Sequence, residues 1–287
     1  MSITLESTSL DGKRLTATFL PSFGMNLVSF KKDGIEVIDQ STTPLFEERR
    51  AGLGALIGPH FHHRPLNKIA PVLFQDRFSH IAAIKAKGIE EPFSHGVARY
   101  APWSCTHTAT SLHAKISGND IWNGVLISSL EGFNFTMYLD AQLNSHGLFL
   151  ELSVDSQEPA VVGYHYYYAI DKKAELVIDQ PQMEYFNGKQ MVAVPDEWIL
   201  GDNVKPPLGG ALDFGFYPKD PEQPSHVRLH TASYKLQIEY QSHTNDSSLQ
   251  IYRPENAGYV CIEPLSATYP KNPELLSSGV NLQLQII

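Results

Sequence analysis

Phe133-Asn134-Phe135-Thr136-Met137-Tyr138-Leu139-Asp140-Ala141-Gln142-Leu143 carries an apolar residue at every odd position and, Tyr138 apart, a polar one at every even position. Successive side chains of an extended chain point to opposite faces, so this period of two predicts a long strand with one face buried. Leu148, Leu150, Leu152 and Val154 repeat the pattern after Ser145-His146-Gly147, which predicts an antiparallel hairpin with a short turn. Strand-like patterning also runs through Leu15 to Phe19, Met25 to Phe30, Tyr234 to Tyr240 and Leu282 to Ile286. Helical periodicity is scarce: Leu45 to Leu53 reads as a short connector at best, because Gly52 and Gly54 weaken it.

Half-polar strands in this number bury their apolar faces only when two sheets pack together or one closes on itself. The expected class is therefore all-β, a large antiparallel β-sandwich with long loops and few short helices. Residues 55–80, 92–104 and 195–225 break the alternation and read as loops, the last holding Pro206, Pro207, Gly209, Gly210 and Pro218. Loops on a rigid β scaffold are common places for binding groups. With 287 residues and no linker or repeat, one domain spanning 1–287 is expected.

The formal charge of −9 argues against the basic face that nucleic acid requires, and a neutral small molecule fits better. No apolar run reaches membrane-span length and Met1-Ser2-Ile3-Thr4-Leu5-Glu6 is unlike a signal peptide, so no membrane contact and a cytoplasmic location are expected. Cys105 and Cys261 are too few and too distant in sequence for a disulfide framework or a cysteine zinc site, and both are expected to be buried thiols.

The segment Gly258-Tyr259-Val260-Cys261-Ile262-Glu263-Pro264 puts a carboxylate where a strand should pack hydrophobes. Pro264, lacking an N–H, is expected to end the ladder and leave Glu263 at a strand edge or mouth. If Pro254 to Gly258 form the turn of a hairpin, Gln250 and Glu263 lie opposite one another, with Tyr252 and Cys261 on the same face. Among the 12 histidines, three contexts stand out: His60-Phe61-His62-His63-Arg64, His95-Gly96-Val97-Ala98-Arg99, and His165-Tyr166-Tyr167-Tyr168. Tyrosine-rich walls with a few directed polar groups suit a sugar, whose apolar C–H face stacks on aromatic rings. His60 and His62 also allow a metal reading, but Pro59, Pro65 and the lack of a nearby carboxylate favour loop packing or sugar binding, and no metal is expected.

Taken in order, these segments resemble the aldose 1-epimerase family, the galactose mutarotase-like proteins. Leu56-Ile57-Gly58-Pro59 with Arg64 resembles its P-x-x-N-R loop, His95 to Arg99 its H-G-F-A-R motif, and His165 to Tyr168 its H-P-Y-F motif. Leu249-Gln250-Ile251-Tyr252 is similar to its v-Q-v-Y and Cys261-Ile262-Glu263-Pro264 to its C-I-E-P. The resemblance implies a β-supersandwich and a cofactor-free aldose 1-epimerase acting on a hexose or related sugar, as a monomer or homodimer. It implies that Glu263 takes the proton of the anomeric hydroxyl while His165 protonates the ring oxygen. The ring then opens, and rotation and reclosure exchange the anomers. This division of roles needs Glu263 ionised and His165 partly protonated, with both facing one cleft at a separation a pyranose can span. By the same likeness His95, Arg64, Gln250, Asp213 and His63 bind the sugar. His63 stands where the family has Asn, and Tyr166 and Tyr168 replace its Pro and Phe.

Two other functions remain open at this level. The fold can serve as a sugar-binding or regulatory module without turnover, and Arg49, Arg50, Arg64, Arg77 and Arg99 around the candidate loops allow a phosphorylated or otherwise anionic sugar. A glycoside hydrolase ranks last, since it needs a second carboxylate paired with Glu263 and only Asp213 or another loop acid is on offer.

Overall fold

A computed structural model describes residues 1–69 and 75–287. The strands Phe135–Asn144 and Gly147–Ser156 pair antiparallel from Phe135↔Ser156 to Asn144↔Gly147, so Ser145 and His146 alone make the turn. Phe135, Met137, Leu139, Ala141 and Leu143 are buried, as the alternation requires. This hairpin lies in a ten-stranded sheet. The hairpin's second strand pairs with Ser277–Ile286, which in turn pairs with Lys235–Ser242.

A second sheet has seven strands, in the order Met191–Ala193, Glu184–Phe186, Leu212–Phe216, Ser248–Arg253, Tyr259–Leu265, Gly163–Ala169 and Gly54–Ile57. The Tyr164 hydroxyl donates to the Val280 carbonyl at 3.2 Å, crossing from this sheet to the ten-stranded one. One contiguous cluster of buried apolar side chains draws on both sheets and on the four-stranded sheet built from Ile3–Thr8, Arg14–Leu20, Asn26–Lys32 and Ile35–Glu36. Every strand pairing among the described residues is antiparallel, and the architecture is the expected β-sandwich.

The middle of the seven-stranded sheet departs from simple alternation for a physical reason. In Gly163–Ala169, Tyr164, Tyr166 and Tyr168 are buried in the sandwich core, while His165 and Tyr167 face a cleft that is itself largely closed to water. A strand covered on both faces loses the period of two that marks a half-exposed one. Tyr259–Leu265 behaves alike, with Val260 and Ile262 in the core. It also corrects the expectation for Pro264: the strand continues through Leu265, which pairs with Gly163 and Ser248, and Glu263 lies inside the sheet rather than at an edge.

Helices are few and short, as expected. Thr43–Arg49 overlaps the predicted connector, while Ser79–Lys85, which buries His80, Ile81 and Ile84, starts at the end of the 55–80 stretch read as loop and runs beyond it. Two helical turns are too short for a period to show. Residues 70–74 of that stretch lie outside the described residues. The 195–225 stretch also contains strands, Ile199–Leu200, Asn203–Val204 and Leu212–Phe216, too brief and too close to glycine and proline to read from pattern. Cys261 is buried but Cys105 only half-buried, and both are free thiols. No helix among the described residues is long and apolar enough to cross a membrane.

Candidate active site

Two adjacent rungs of the seven-stranded sheet make the floor of a cleft of about 570 Å³. On the first, His165 pairs with Ala55 on one side, and the register that matches Tyr166 with Ile262 and Gly163 with Leu265 sets it opposite Glu263 on the other. Glu263 pairs with Gln250, and Gln250 with Gly215. On the second rung Tyr167 pairs with Cys261, Cys261 with Tyr252, and Tyr252 with Asp213. Residues two apart on a strand share a face. This is why two strand motifs, each supplying an acid or histidine and a neighbour two residues away, build one continuous surface. Gly215 is there for space: a Cβ on it would lie 2.7 Å from the Gln250 side-chain nitrogen, so the amide rests over bare backbone.

The centre of the floor is His165 Nε2 at 3.3 Å from a Glu263 carboxylate oxygen. His165 is 6 % and Glu263 2 % exposed, so both are nearly out of water. Burial pushes the Glu263 carboxyl up to about 8, partly opposed by the Arg99 guanidinium and reinforced by Asp213. Burial likewise drives the His165 imidazole well below its ordinary range, with Arg99 adding to the effect. Desolvation thus disfavours charge on either group, and both shifts run in the direction that favours a proton on Glu263 over one on His165. Both shifts run against the ionised Glu263 and partly protonated His165 that the expected roles need. Their approach is also closer than a pyranose-wide separation. The anomeric and ring oxygens of a pyranose are bonded to the same carbon, so a proton donor and an acceptor must converge on them rather than flank the ring.

His95 forms a wall of the cleft, its ring edge-on to His165 with centroids 5.0 Å apart. Its Nδ1 accepts the His62 backbone N–H at 3.3 Å, which leaves the ring hydrogen on Nε2 when the imidazole is neutral. Burial, with Arg99, holds it neutral by lowering its pKa well below the ordinary range. The residue sits at φ 65°, a left-handed conformation that side chains rarely adopt. Backbone hydrogen bonds hold it there, from His95 N–H to the His62 carbonyl at 2.9 Å and from Gly58 N–H to the His95 carbonyl at 2.8 Å. The next residue must be glycine, because a Cβ on Gly96 would meet the Gly58 carbonyl oxygen at 1.8 Å.

No protein-family model and no curated protein matches this chain. Solved structures do. A galactose mutarotase-like protein from Lactobacillus casei superposes with a TM-score of 0.69 at 14 % identity, each chain covering 100 % of the other. The aldose epimerase homologue from C. elegans gives 0.67 at 15 %, over 100 % of this chain and 99 % of that one. A galactose mutarotase-like protein from Clostridium acetobutylicum gives 0.66 at 14 %, over 99 % and 98 %. The chain has the galactose mutarotase-like fold.

This mutarotase-like fold brings His165, Glu263, His95, Gln250, Asp213 and His63 to one cleft. Asp213 and His63 are at its more exposed reaches, and the His63 ring stacks on His62 with centroids 4.3 Å apart. Arg64, expected to hydrogen-bond the sugar, is instead committed elsewhere. Its Nη2 and Nε donate to the two Glu91 carboxylate oxygens at 2.8 and 2.9 Å, and its Nη1 donates to the Glu131 carbonyl. Glu131 also accepts from Val97 N–H at 3.0 Å and meets His60 Nδ1 at 2.5 Å, so this buried charge cluster braces the loop that carries His95. His60 is thereby taken up in the cluster, away from any pairing with His62 at a metal.

Arg99 and Arg49 supply the positive charge that Arg64 does not. Arg99 is 4 % exposed and lines the cleft, and neither its Nη2 nor the buried Arg49 Nε has a hydrogen-bond partner among the described residues. Arg99 ends the His95 motif, so the sequence signal was there, but a guanidinium four residues from a histidine, at the end of the 3-10 turn Val97–Arg99, reads equally well as structural. Phe186, Met191, Tyr269 and Lys271 complete the walls from segments without a motif. Phe186 and Met191 lie on paired strands and Tyr269 and Lys271 in the turn after Tyr259–Leu265, so only the tertiary structure reveals them.

Proposed function

We propose that this chain is an aldose 1-epimerase that interconverts the α and β anomers of a hexose or related sugar without a cofactor. The observation that carries the reading is the His165–Glu263 pair, 3.3 Å apart and buried at the floor of a cleft walled by Tyr167, Gln250 and His95. Mutarotation needs one proton donor and one acceptor converging on the O1–C1–O5 unit, and a pair holding one proton supplies both. In its carboxylate–imidazolium form Glu263 takes the anomeric proton and His165 protonates the ring oxygen. The C1–O5 bond breaks to give the open aldehyde. Rotation about C1–C2 turns the other carbonyl face to the C5 hydroxyl, and reclosure returns both protons with the roles reversed. Arg99 favours the carboxylate partner of this form, and a bound sugar's hydroxyls solvate what burial leaves bare. Each proton transfer of this kind contributes about 10²- to 10⁴-fold. His95 Nε2–H and the Gln250 amide orient ring hydroxyls, with Asp213 and His63 contacting the sugar further out.

Polarimetry on freshly dissolved α-glucose, α-galactose and their 6-phosphates tests the proposal. Acceleration for at least one, lost in Glu263→Gln, is expected; no acceleration for any of them sinks it. A second reading, an anionic sugar as substrate, is favoured by the buried nitrogens of Arg49 and Arg99 in the cleft wall that have no partner among the described residues. It predicts that the 6-phosphates are turned over in preference to the free hexoses. Calorimetric sugar binding without any mutarotation would instead mark a binding module.

A further inference from the structure

We infer that His165, Cys261 and Glu263 together form a binding site for a zinc-type divalent cation, and that the ion and a sugar exclude one another. Among the described residues these three are the one group whose nitrogen, sulfur and oxygen donors come close enough to share an ion, all within 4.8 Å. They are 6 %, 0 % and 2 % exposed. Cys261 and Glu263 lie two apart on one strand and so point the same way, and His165 faces Glu263 from the next strand. Neither the Cys261 thiol nor the Glu263 carboxylate hydrogen-bonds to a described residue, so both donors are uncommitted, apart from the 3.3 Å approach of His165.

Zinc bonds of about 2.0–2.3 Å in a tetrahedral arrangement place donors roughly 3.3–3.8 Å apart. The His165–Glu263 separation already meets that, and a small side-chain rotation brings in the sulfur. One imidazole, one thiolate and one carboxylate suit a borderline-soft ion better than the all-oxygen sets of calcium or magnesium. The fourth position opens to the cleft. A thiolate and a carboxylate together neutralise the dication; burial raises both the Cys261 thiol and the Glu263 carboxyl, so the ion has to displace their protons, a cost that Arg99 lessens for both donors while it repels the cation. Because the ion takes the two groups that would handle the sugar's protons, it acts as an inhibitor and not as a cofactor.

The inference stands apart from the epimerase proposal, since binding is measured without turnover. Untagged, chelator-treated full-length chain is titrated with zinc chloride by calorimetry and with cobalt(II) by absorbance. One ion per chain at about micromolar affinity and a thiolate-to-cobalt charge-transfer band are expected. Cys261→Ser should lose that band and bind zinc more than about 100-fold less tightly, beyond the cost of an outer-shell partner. Glu263→Gln should lose affinity but keep the band, which guards against a variant that fails to fold. No stoichiometric binding up to millimolar zinc, a cobalt complex without the band, or unchanged zinc affinity in Cys261→Ser overturns the inference. Zinc binding in a chain that turns over no sugar upholds it while removing the epimerase reading; mutarotation that saturating zinc leaves untouched removes the inference and keeps the epimerase.

Discussion

Replacing Glu263 by Gln should make the protein more stable at alkaline pH while abolishing its proposed activity. Burial raises the Glu263 carboxyl from an ordinary 4.5 to about 8 in the folded chain. Below 4.5 folded and unfolded states are both protonated at this position and nothing is lost. As pH rises the unfolded chain releases the proton first, so stability falls through this window and levels off above about 8. A displacement of roughly 3.5 pH units at about 1.4 kcal/mol each amounts to about 5 kcal/mol. That is a large share of the 5–15 kcal/mol by which folded domains are stable. His165 and His95, whose folded pKa values are depressed, titrate in the opposite sense, contributing stability that is lost as pH falls. They are common to both proteins, so the difference between wild type and Glu263→Gln isolates the carboxyl. Guanidinium unfolding of the two at pH 5 to 9 measures it. The variant should gain progressively on the wild type up to about pH 8 and then run parallel to it. Parallel profiles across the whole range would refute the reasoning, because they would mean that Glu263 is ionised in the folded state.

The same proton sets the pH dependence of turnover: kcat/KM for mutarotation should fall about tenfold per unit above about pH 8, as the pair loses its only proton, with the acid limb lying below the ordinary histidine range. Gly215→Ala places a methyl group 2.7 Å from the Gln250 side-chain nitrogen and should raise KM several-fold with little change in unfolding midpoint, as steady-state kinetics and denaturation together will show. Arg64→Ala leaves Glu91 and Glu131 buried without their cation, so chemical denaturation should register a loss of about 3–5 kcal/mol. A selective rise in KM at unchanged stability would return Arg64 to the sugar.

Where sequence reasoning and structure part company is instructive at the level of single residues. Gln250 and Glu263 could be set opposite one another from the sequence because a hairpin of short loop fixes its own register, and the structure pairs them so. Pro264 misled because the absence of an N–H weakens a ladder without ending one that is held from both sides. Arg64 misled because a guanidinium serves a carboxylate pair or a ligand equally well, and its partners Glu91 and Glu131 are distant in the chain. Arg49 could be named only as one of five arginines around the candidate loops, and Tyr269 and Lys271 gave no usable signal, as they reach the cleft from a segment without periodicity.

The sequence by itself determined the strands that half-face water, their antiparallel hairpins and the residue types available for acid–base chemistry, because side-chain period and turn chemistry act over a few residues. Only the tertiary structure decided that His165 and Glu263, on strands almost a hundred residues apart in sequence, stand 3.3 Å from one another. It also decided that burial disfavours charge on both. Both outcomes depend on long-range strand register and on how completely the surrounding walls exclude water, quantities that no local pattern encodes.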